Sequence, residues 1–213
     1  KDIPKPMIKI LGKPILLRIM QHYSKYGFKD FIIAAGYKKK IIENFFKKNK
    51  FNDWDVKVVD TGLKTMTGGR LKRLKKYLKD QTFFMTYGDG LSDINLKKLL
   101  SFHLKRKKIG TLTAVRPPAR FGALKISTKK VVTYFKEKSS LHEGWINGGF
   151  FVLEPEVFEY IKDDKTYFER EPLQKLSRLK SLYAYKHSGF WQCMDTLRDK
   201  EILEKKIRLL KDR

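Results

Sequence analysis

The sequence predicts an α/β fold in which a largely parallel sheet is covered by helices, built as a single domain over residues 1–213. Three observations carry this. Short, wholly apolar runs such as DFIIAAG at 30–36 suit strands buried on both faces. Helical stripes alternate with those runs through the first half of the chain. A length of 213 residues, 41% hydrophobic and 13% aromatic, suits one full core.

Taken in order, Ile15, Leu16, Ile19, Met20 and Tyr23 recur at helical spacing and Gly27 is a stop. The strand at 30–36 follows, then a helix marked by Ile41, Ile42, Phe45 and Phe46, then a strand at 56–60. Leu71, Leu74 and Leu78 trace a helix expected to open after Gly68-Gly69. The run at 83–87 is a strand, and Leu96, Leu99, Leu100 and His103 form the next stripe, with His103 a partly buried structural histidine. A strand at 111–115 stops at Pro117-Pro118, and 123–127 can pair with 131–135 as an inserted hairpin. NGGFFVL at 147–153 is a further strand, Val157, Phe158 and Ile161 begin a short helix, and Leu173, Leu176 and Leu179 another. The run 182–185 alternates as a strand, and a charged amphipathic helix runs from Thr196.

Composition removes several classes of function. No stretch approaches the roughly 18 apolar residues that span a bilayer, and no secretory leader pattern is present, so the reading is of a cytoplasmic protein with no membrane partner. One cysteine, Cys193, excludes a disulfide framework and a Cys-based zinc site. The charge balance of +25 would attract polyanions, yet only 11 of the 48 basic residues are arginine. Readers of bases and phosphates rely on the arginine fork. The lysine runs are therefore read as solvated faces, with no specific nucleic-acid partner.

Five places could carry chemistry. Asp89 stands between Gly88 and Gly90 at the end of the strand TFFMTY, where a parallel sheet gathers ligands; it is either an ordinary Asp-Gly turn or a carboxylate offered to a metal or phosphate. Thr65 to Arg70 (TMTGGR) lets a two-glycine loop open into a helix, so backbone N–H groups and a guanidinium can meet an anion, or else form a plain helix entry. Asp195 in FWQCMDT, directly before an amphipathic helix, reads first as an N-cap, though two apolar-flanked aspartates could also share one Mg²⁺. Glu137 and Lys138 close the hairpin-like segment as FKEK, a triplet that by itself reads as solvent decoration. Lys5 lies between two prolines in IPKPM, in a stiff, extended segment that holds its side chain in one direction.

Together these motifs resemble the sugar-1-phosphate nucleotidyltransferase family. The matching stretches are PKPM (4–7), GKPIL (12–16), DTGLKTMTGGRLKR (60–73), YGDGLSD (87–93), PPARFGAL (117–124), FKEK (135–138), INGGFFVLEP (146–155), EPL (171–173) and GFWQCMDTLRDK (189–200). TGGRLKR with FWQ-x-MDTLRDK is similar to the cytidylyl branch. The resemblance implies a Rossmann-like three-layer sandwich with a mixed sheet, of the nucleotidyltransferase and glycosyltransferase-A type. It implies CTP and glucose-1-phosphate as substrates, Mg²⁺ as cofactor, a homo-oligomer (trimer or hexamer), and a place in the nucleotide-sugar supply for lipopolysaccharide O-antigen.

It also implies roles. Lys5 would neutralise nucleotide phosphates. Thr65, Gly68, Gly69 and Arg70 would line the nucleotide pocket, and Gly88 would admit the substrate closely. Asp89 and Asp195 would bind Mg²⁺. Glu137 and Asn147, beside Gly148, would meet the sugar hydroxyls, and Lys138 the sugar phosphate. In three respects the chain departs from the pattern. The family's glycine-rich G-G-x-G-T-R-L loop belongs before Lys1, and a chain lacking it is expected to be inactive. Family members have a longer segment between Phe46 and Asp60, and a proline where Ser139 stands.

Overall fold

Among residues 3–117, 123–136 and 144–211, which the computed structural model describes, the apolar runs and stripes resolve into twelve strands and seven α-helices. In chain order, β1 (Lys9–Ile10) and β2 (Lys13–Pro14) lead into α1 (Ile15–Ser24), followed by β3 (Asp30–Ala35), α2 (Lys39–Lys48) and β4 (Asp55–Asp60). Next come α3 (Thr67–Arg73), α4 (Lys75–Leu78), β5 (Phe83–Thr86), β6 (Gly90–Ser92), α5 (Leu96–Arg106) and β7 (Gly110–Val115). The remainder is β8 (Ala123–Ile126), β9 (Val132–Lys136), β10 (Ile146–Leu153), α6 (Glu171–Arg178), β11 (Leu182–His187), β12 (Trp191–Cys193) and α7 (Leu197–Lys211).

The central sheet has the order β11-β7-β10-β5 and is mixed. β11 runs parallel to β7, whereas β10 is antiparallel to both β7 and β5. β3 and β4 form a parallel pair. Side chains of β10 alternate between two cores, as the period of a strand requires. Phe150 and Val152 pack with Ile15, Ile19 and Tyr23 of α1, Leu96 and Leu99 of α5, and Leu203 of α7. Phe151 and Leu153 face the other way, toward Phe83, Val157, Phe158, Phe168 and Leu176. Helices on both faces of one sheet make three layers. All six residues from Gly148 to Leu153 are buried, which explains the unbroken apolar run.

Three local expectations change. α3 opens at Thr67, so Gly68 and Gly69 lie inside its first turn. The Leu71–Leu78 stripe is two helices, α3 and α4, that meet at Leu74. The segment Pro155–Tyr160 is a 3₁₀ helix opened by a proline, too short to settle into an α-helix. His103 is fully buried and structural, held between Thr111 Oγ1 and Glu154 Oε1 at 2.9 Å each. No helix of the described residues is long and apolar enough to cross a membrane.

Candidate active site

Two short strands far apart in sequence create the site. β6 pairs antiparallel with β12, with Gly90 opposite Cys193, and Met194 N–H donates to Asp89 O at 2.9 Å. Asp89, just before β6, and Asp195, just after β12, are thereby brought to the same end of this ribbon. A third segment closes over them. Lys5 to Met7 form one turn of 3₁₀ helix rather than an extended stretch, since proline's fixed φ fits a first helical turn. This turn rests on Gly88, where a Cβ would stand 3.1 Å from Pro6 Cγ. The bare backbone at Gly88 thus admits Pro6, and Lys5 with it.

The Lys5 ammonium lies 2.7 Å from Asp89 Oδ2 and 2.7 Å from Asp195 Oδ1. Partial burial works against its charge, but the hydrogen bonds it donates to Asp195 and Asp89 outweigh that and hold the lysine pKa above its ordinary value. Cys193 Sγ lies 3.4 Å from Asp195 Oδ2. Burial, then this carboxylate, pushes the thiol up to about 11, so it stays protonated.

Asp195 is not the cap of α7. Thr196 is: its Oγ1 accepts from Asp199 N–H at 3.1 Å, while the buried Asp199 carboxylate accepts from Thr196 N–H at 2.9 Å. This is a reciprocal capping box. Asp199 also accepts from the Asp195 N–H at 3.1 Å, which fixes the backbone that presents the Asp195 side chain.

A cavity of about 210 Å³ opens beside the two aspartates, its walls including Tyr87, Asn147, Gly148, Gly149, Trp191 and Cys193. Gly148 is required by packing as well, because a Cβ there would stand 2.9 Å from Val115 Cγ1. Trp191 Nε1 donates to Gly148 O at 2.8 Å and ties β12 to this wall.

A separate group lies at the carboxyl ends of the parallel pair β3–β4. Arg70 donates to Thr61 Oγ1 at 2.7 Å, and its guanidinium fills the space beside Gly36. Burial, then neighbouring Arg73, lowers its pKa, with Asp60 acting the other way. Thr65 is buried next to Gly62, with its Oγ1 2.7 Å from where a Gly62 Cβ would stand. The Gly68 and Gly69 N–H groups do not face open space: both donate to Thr166 O, at 2.9 and 3.2 Å. A Cβ on Gly68 would stand 2.8 Å from that same carbonyl, so these glycines let the 163–168 segment cross the helix start. Glu137 and Lys138 lie outside the described residues.

The structure therefore brings Asp89, Asn147, Gly148 and Asp195 around one cavity, with Lys5 bonded to the two aspartates and Gly88 against Pro6, and sets Thr65 and Arg70 in a second cluster. Sequence reasoning missed Tyr87, Trp191, Cys193 and Asp199. A signal for the first three exists. Tyr87 and Asp89, like Trp191, Cys193 and Asp195, fall on alternate residues, the period of a strand end. For Asp199 the signal is the T-x-x-D spacing of a cap.

Two carboxylates converging on one cation form an oxygen-only donor pair. That suits Mg²⁺, which takes one or two carboxylates and completes its shell with water and substrate phosphates. Among the described residues, no group of three or more His, Cys, Asp or Glu side chains could hold a metal without such a substrate.

Residues 1–196 match the family model described as nucleotidyl transferase. The chain is 46% identical to glucose-1-phosphate cytidylyltransferase of Salmonella typhi, over 94% of this chain and 86% of that protein. It is 40% identical to the probable glucose-1-phosphate cytidylyltransferase of Bacillus subtilis, over 93% and 85% respectively. HddC from Yersinia pseudotuberculosis, solved in complex with GMP-PN, superposes with a TM-score of 0.75 at 25% identity, covering 97% of this chain and 91% of that one.

Proposed function

Because the chain belongs to the nucleotidyl transferase family, we propose that it transfers the cytidylyl group of CTP to glucose-1-phosphate, giving CDP-glucose and pyrophosphate. The similarity to proteins named for this activity supports the choice of substrates. The single observation that carries the mechanism is the Lys5 ammonium seated between Asp89 and Asp195, two carboxylates that line one cavity.

The chemistry is an in-line displacement. A phosphate oxygen of glucose-1-phosphate forms a bond to the α-phosphorus of CTP as the bond to the β-phosphate oxygen breaks, and pyrophosphate leaves with that electron pair. The attacking oxygen is already ionised, so no side-chain nucleophile or base is needed. What the protein must supply is alignment of two polyanions and neutralisation of charge. Asp89 and Asp195 would hold Mg²⁺, which supplies Lewis-acid charge neutralisation at the phosphates. Lys5, displaced from the aspartates, would turn its charge toward the nucleotide phosphates. Arg70 and Thr65 would hold the nucleotide at the β3–β4 ends. Asn147 and Gly148 would form the wall of the sugar site, completed by Glu137 and Lys138.

The active form is proposed to be a cytoplasmic homo-oligomer, a trimer or hexamer. Supporting this, Leu124, Ile126, Val132 and Phe135 are each more than half exposed on the β8–β9 hairpin, with Leu124 paired to Phe135 and Ile126 to Val132. Such an apolar face suits a subunit contact. The test of the function is direct: CDP-glucose identified by mass after incubation of the protein with CTP, glucose-1-phosphate and Mg²⁺, and absent without any one of them.

A further inference from the structure

Three hydrogen-bond donors converge on one carbonyl at the end of the β6–β12 ribbon that lies away from Asp89 and Asp195. Phe190 O accepts from Asp93 N–H at 3.1 Å, from Ser92 Oγ at 2.8 Å and from His187 Nε2 at 3.2 Å. The same imidazole nitrogen lies 2.9 Å from Asp93 Oδ1. A carbonyl only accepts, so Nε2 carries a hydrogen, which the carbonyl and the carboxylate share. Gly189 makes this meeting possible: a Cβ there would stand 2.5 Å from Asp93 Oδ1 and 2.7 Å from His187 Cε1.

Both sides of the contact are anchored. His187 is the last residue of β11, in register with Val115 of β7, so the contact ties the ribbon to the central sheet. Asp93 is followed by the fully buried Ile94, whose carbonyl accepts from His22 Nε2 of α1 at 2.9 Å. A ribbon of three residue pairs has little of its own to specify register, and a slip of one residue turns every side chain to the other face. Asp89 and Asp195 leave this ribbon on opposite strands, so any slip or splay changes their separation directly.

We propose that Asp93 and His187, seated over Gly189, are positioning residues that fix the spacing of Asp89 and Asp195 and thereby the affinity for Mg²⁺. The strands carry the contact about 10 Å from the aspartates, so it acts through the ribbon and touches neither substrate nor metal. This rests on the reading of the two aspartates as the metal site.

The experiment titrates Mg²⁺ into wild type, Asp93→Ala, Asp93→Asn and Gly189→Ala. One readout is the melting temperature with CTP alone, where no turnover occurs; the other is the initial rate with both substrates. In Asp93→Ala and Gly189→Ala the Mg²⁺ midpoint should rise about 10-fold in both readouts, the scale of losing a group that orients a metal ligand. At saturating Mg²⁺ the KM values for CTP and glucose-1-phosphate should stay within about twofold of wild type, as expected when substrate contacts are intact. Asp93→Asn keeps an oxygen that accepts from His187, and its midpoint should stay within about threefold of wild type.

Gly189→Ala removes no polar group and drives a methyl into the pair, so it carries the test even if Asp93→Ala does not fold. Combined with Asp93→Ala it should add little, because two changes at one contact are not additive. Lower melting temperatures with an unmoved Mg²⁺ midpoint, or equal shifts in Asp93→Asn and Asp93→Ala, would overturn the assignment. A wild-type protein indifferent to Mg²⁺ in both readouts would defeat the metal reading and this inference together; a responsive wild type with unmoved variants defeats this inference alone.

Discussion

Lys5 and Asp195 are 190 positions apart in sequence, and the ammonium of one lies 2.7 Å from the carboxylate of the other. Asp89 completes the bridge at the same distance. In the proposed mechanism Mg²⁺ would take the place of this lysine between the two carboxylates, and the lysine would leave as it binds. The proposed chemistry depends on that exchange.

Replacement of either aspartate should separate catalysis from stability. Asp89→Asn and Asp195→Asn should each lower turnover by a factor of several hundred, on the order of 3–4 kcal/mol at a charged transition state. Asp195→Asn should melt close to the wild-type temperature, because Thr196 and Asp199 cap α7 without it. Thermal melts beside initial rates would check this. A large fall in melting temperature with the rate retained would return Asp195 to a purely structural role.

Asp199 should behave in the opposite way. Asp199→Ala removes the acceptor for two backbone N–H groups and half of a capping box, so stability should fall by about 1 kcal/mol. Since one of those N–H groups belongs to Asp195, turnover should fall as well, and added Mg²⁺ should restore part of it. Denaturant unfolding and a Mg²⁺ titration of the rate would separate the two effects.

Lys5 gives a signed pH dependence. Its folded pKa is raised above the ordinary value of 10.5. The stabilisation from its ion pairs is therefore complete below that ordinary value and is lost as pH rises through the higher folded one. The difference in melting temperature between wild type and Lys5→Met should be constant across neutral pH and shrink only in strong alkali. Mg²⁺ should raise the melting temperature of Lys5→Met more than that of wild type, because in the variant the Lys5 ammonium no longer competes with it for the two carboxylates.

The two substrate clusters should respond to different variants. Arg70→Ala should weaken use of CTP, and Lys138→Ala use of glucose-1-phosphate, each by about 10- to 100-fold in kcat/KM, as expected when one charge-assisted hydrogen bond is lost. Glu137→Ala should relax discrimination between hexose phosphates. Equal losses for both substrates in both charge variants would mean that these residues support a shared step.

The sequence foreshadowed elements better than meetings. The run INGGFFVL is apolar throughout because both of its faces are covered, and that is visible without a structure. Its antiparallel direction is not, since an apolar run has no polarity of its own. The pairing of Gly90 with Cys193 is equally silent in the sequence: three-residue strands a hundred positions apart carry no pattern longer than a turn. That pairing is what brings Asp89 to Asp195. Gly68 and Gly69 misled in a different way. Glycines at a helix start suggest an anion cradle, but the same freedom serves a crossing segment, and only the Thr166 carbonyl against them tells which. Lys5 was legible as a directed lysine from its prolines, and the direction became meaningful once Gly88 was seen to receive Pro6.

Pyrophosphate release is the direct readout of cytidylyl transfer at a two-aspartate Mg²⁺ site. Full-length protein would be given glucose-1-phosphate with each of CTP, UTP, GTP, ATP and dTTP in turn, with Mg²⁺ and again after chelation. Release with CTP should stand well above that with the other nucleotides, depend on Mg²⁺ and on both substrates, and be lost in Asp89→Asn. Release that favours another nucleotide, persists after chelation, or survives in Asp89→Asn would contradict it.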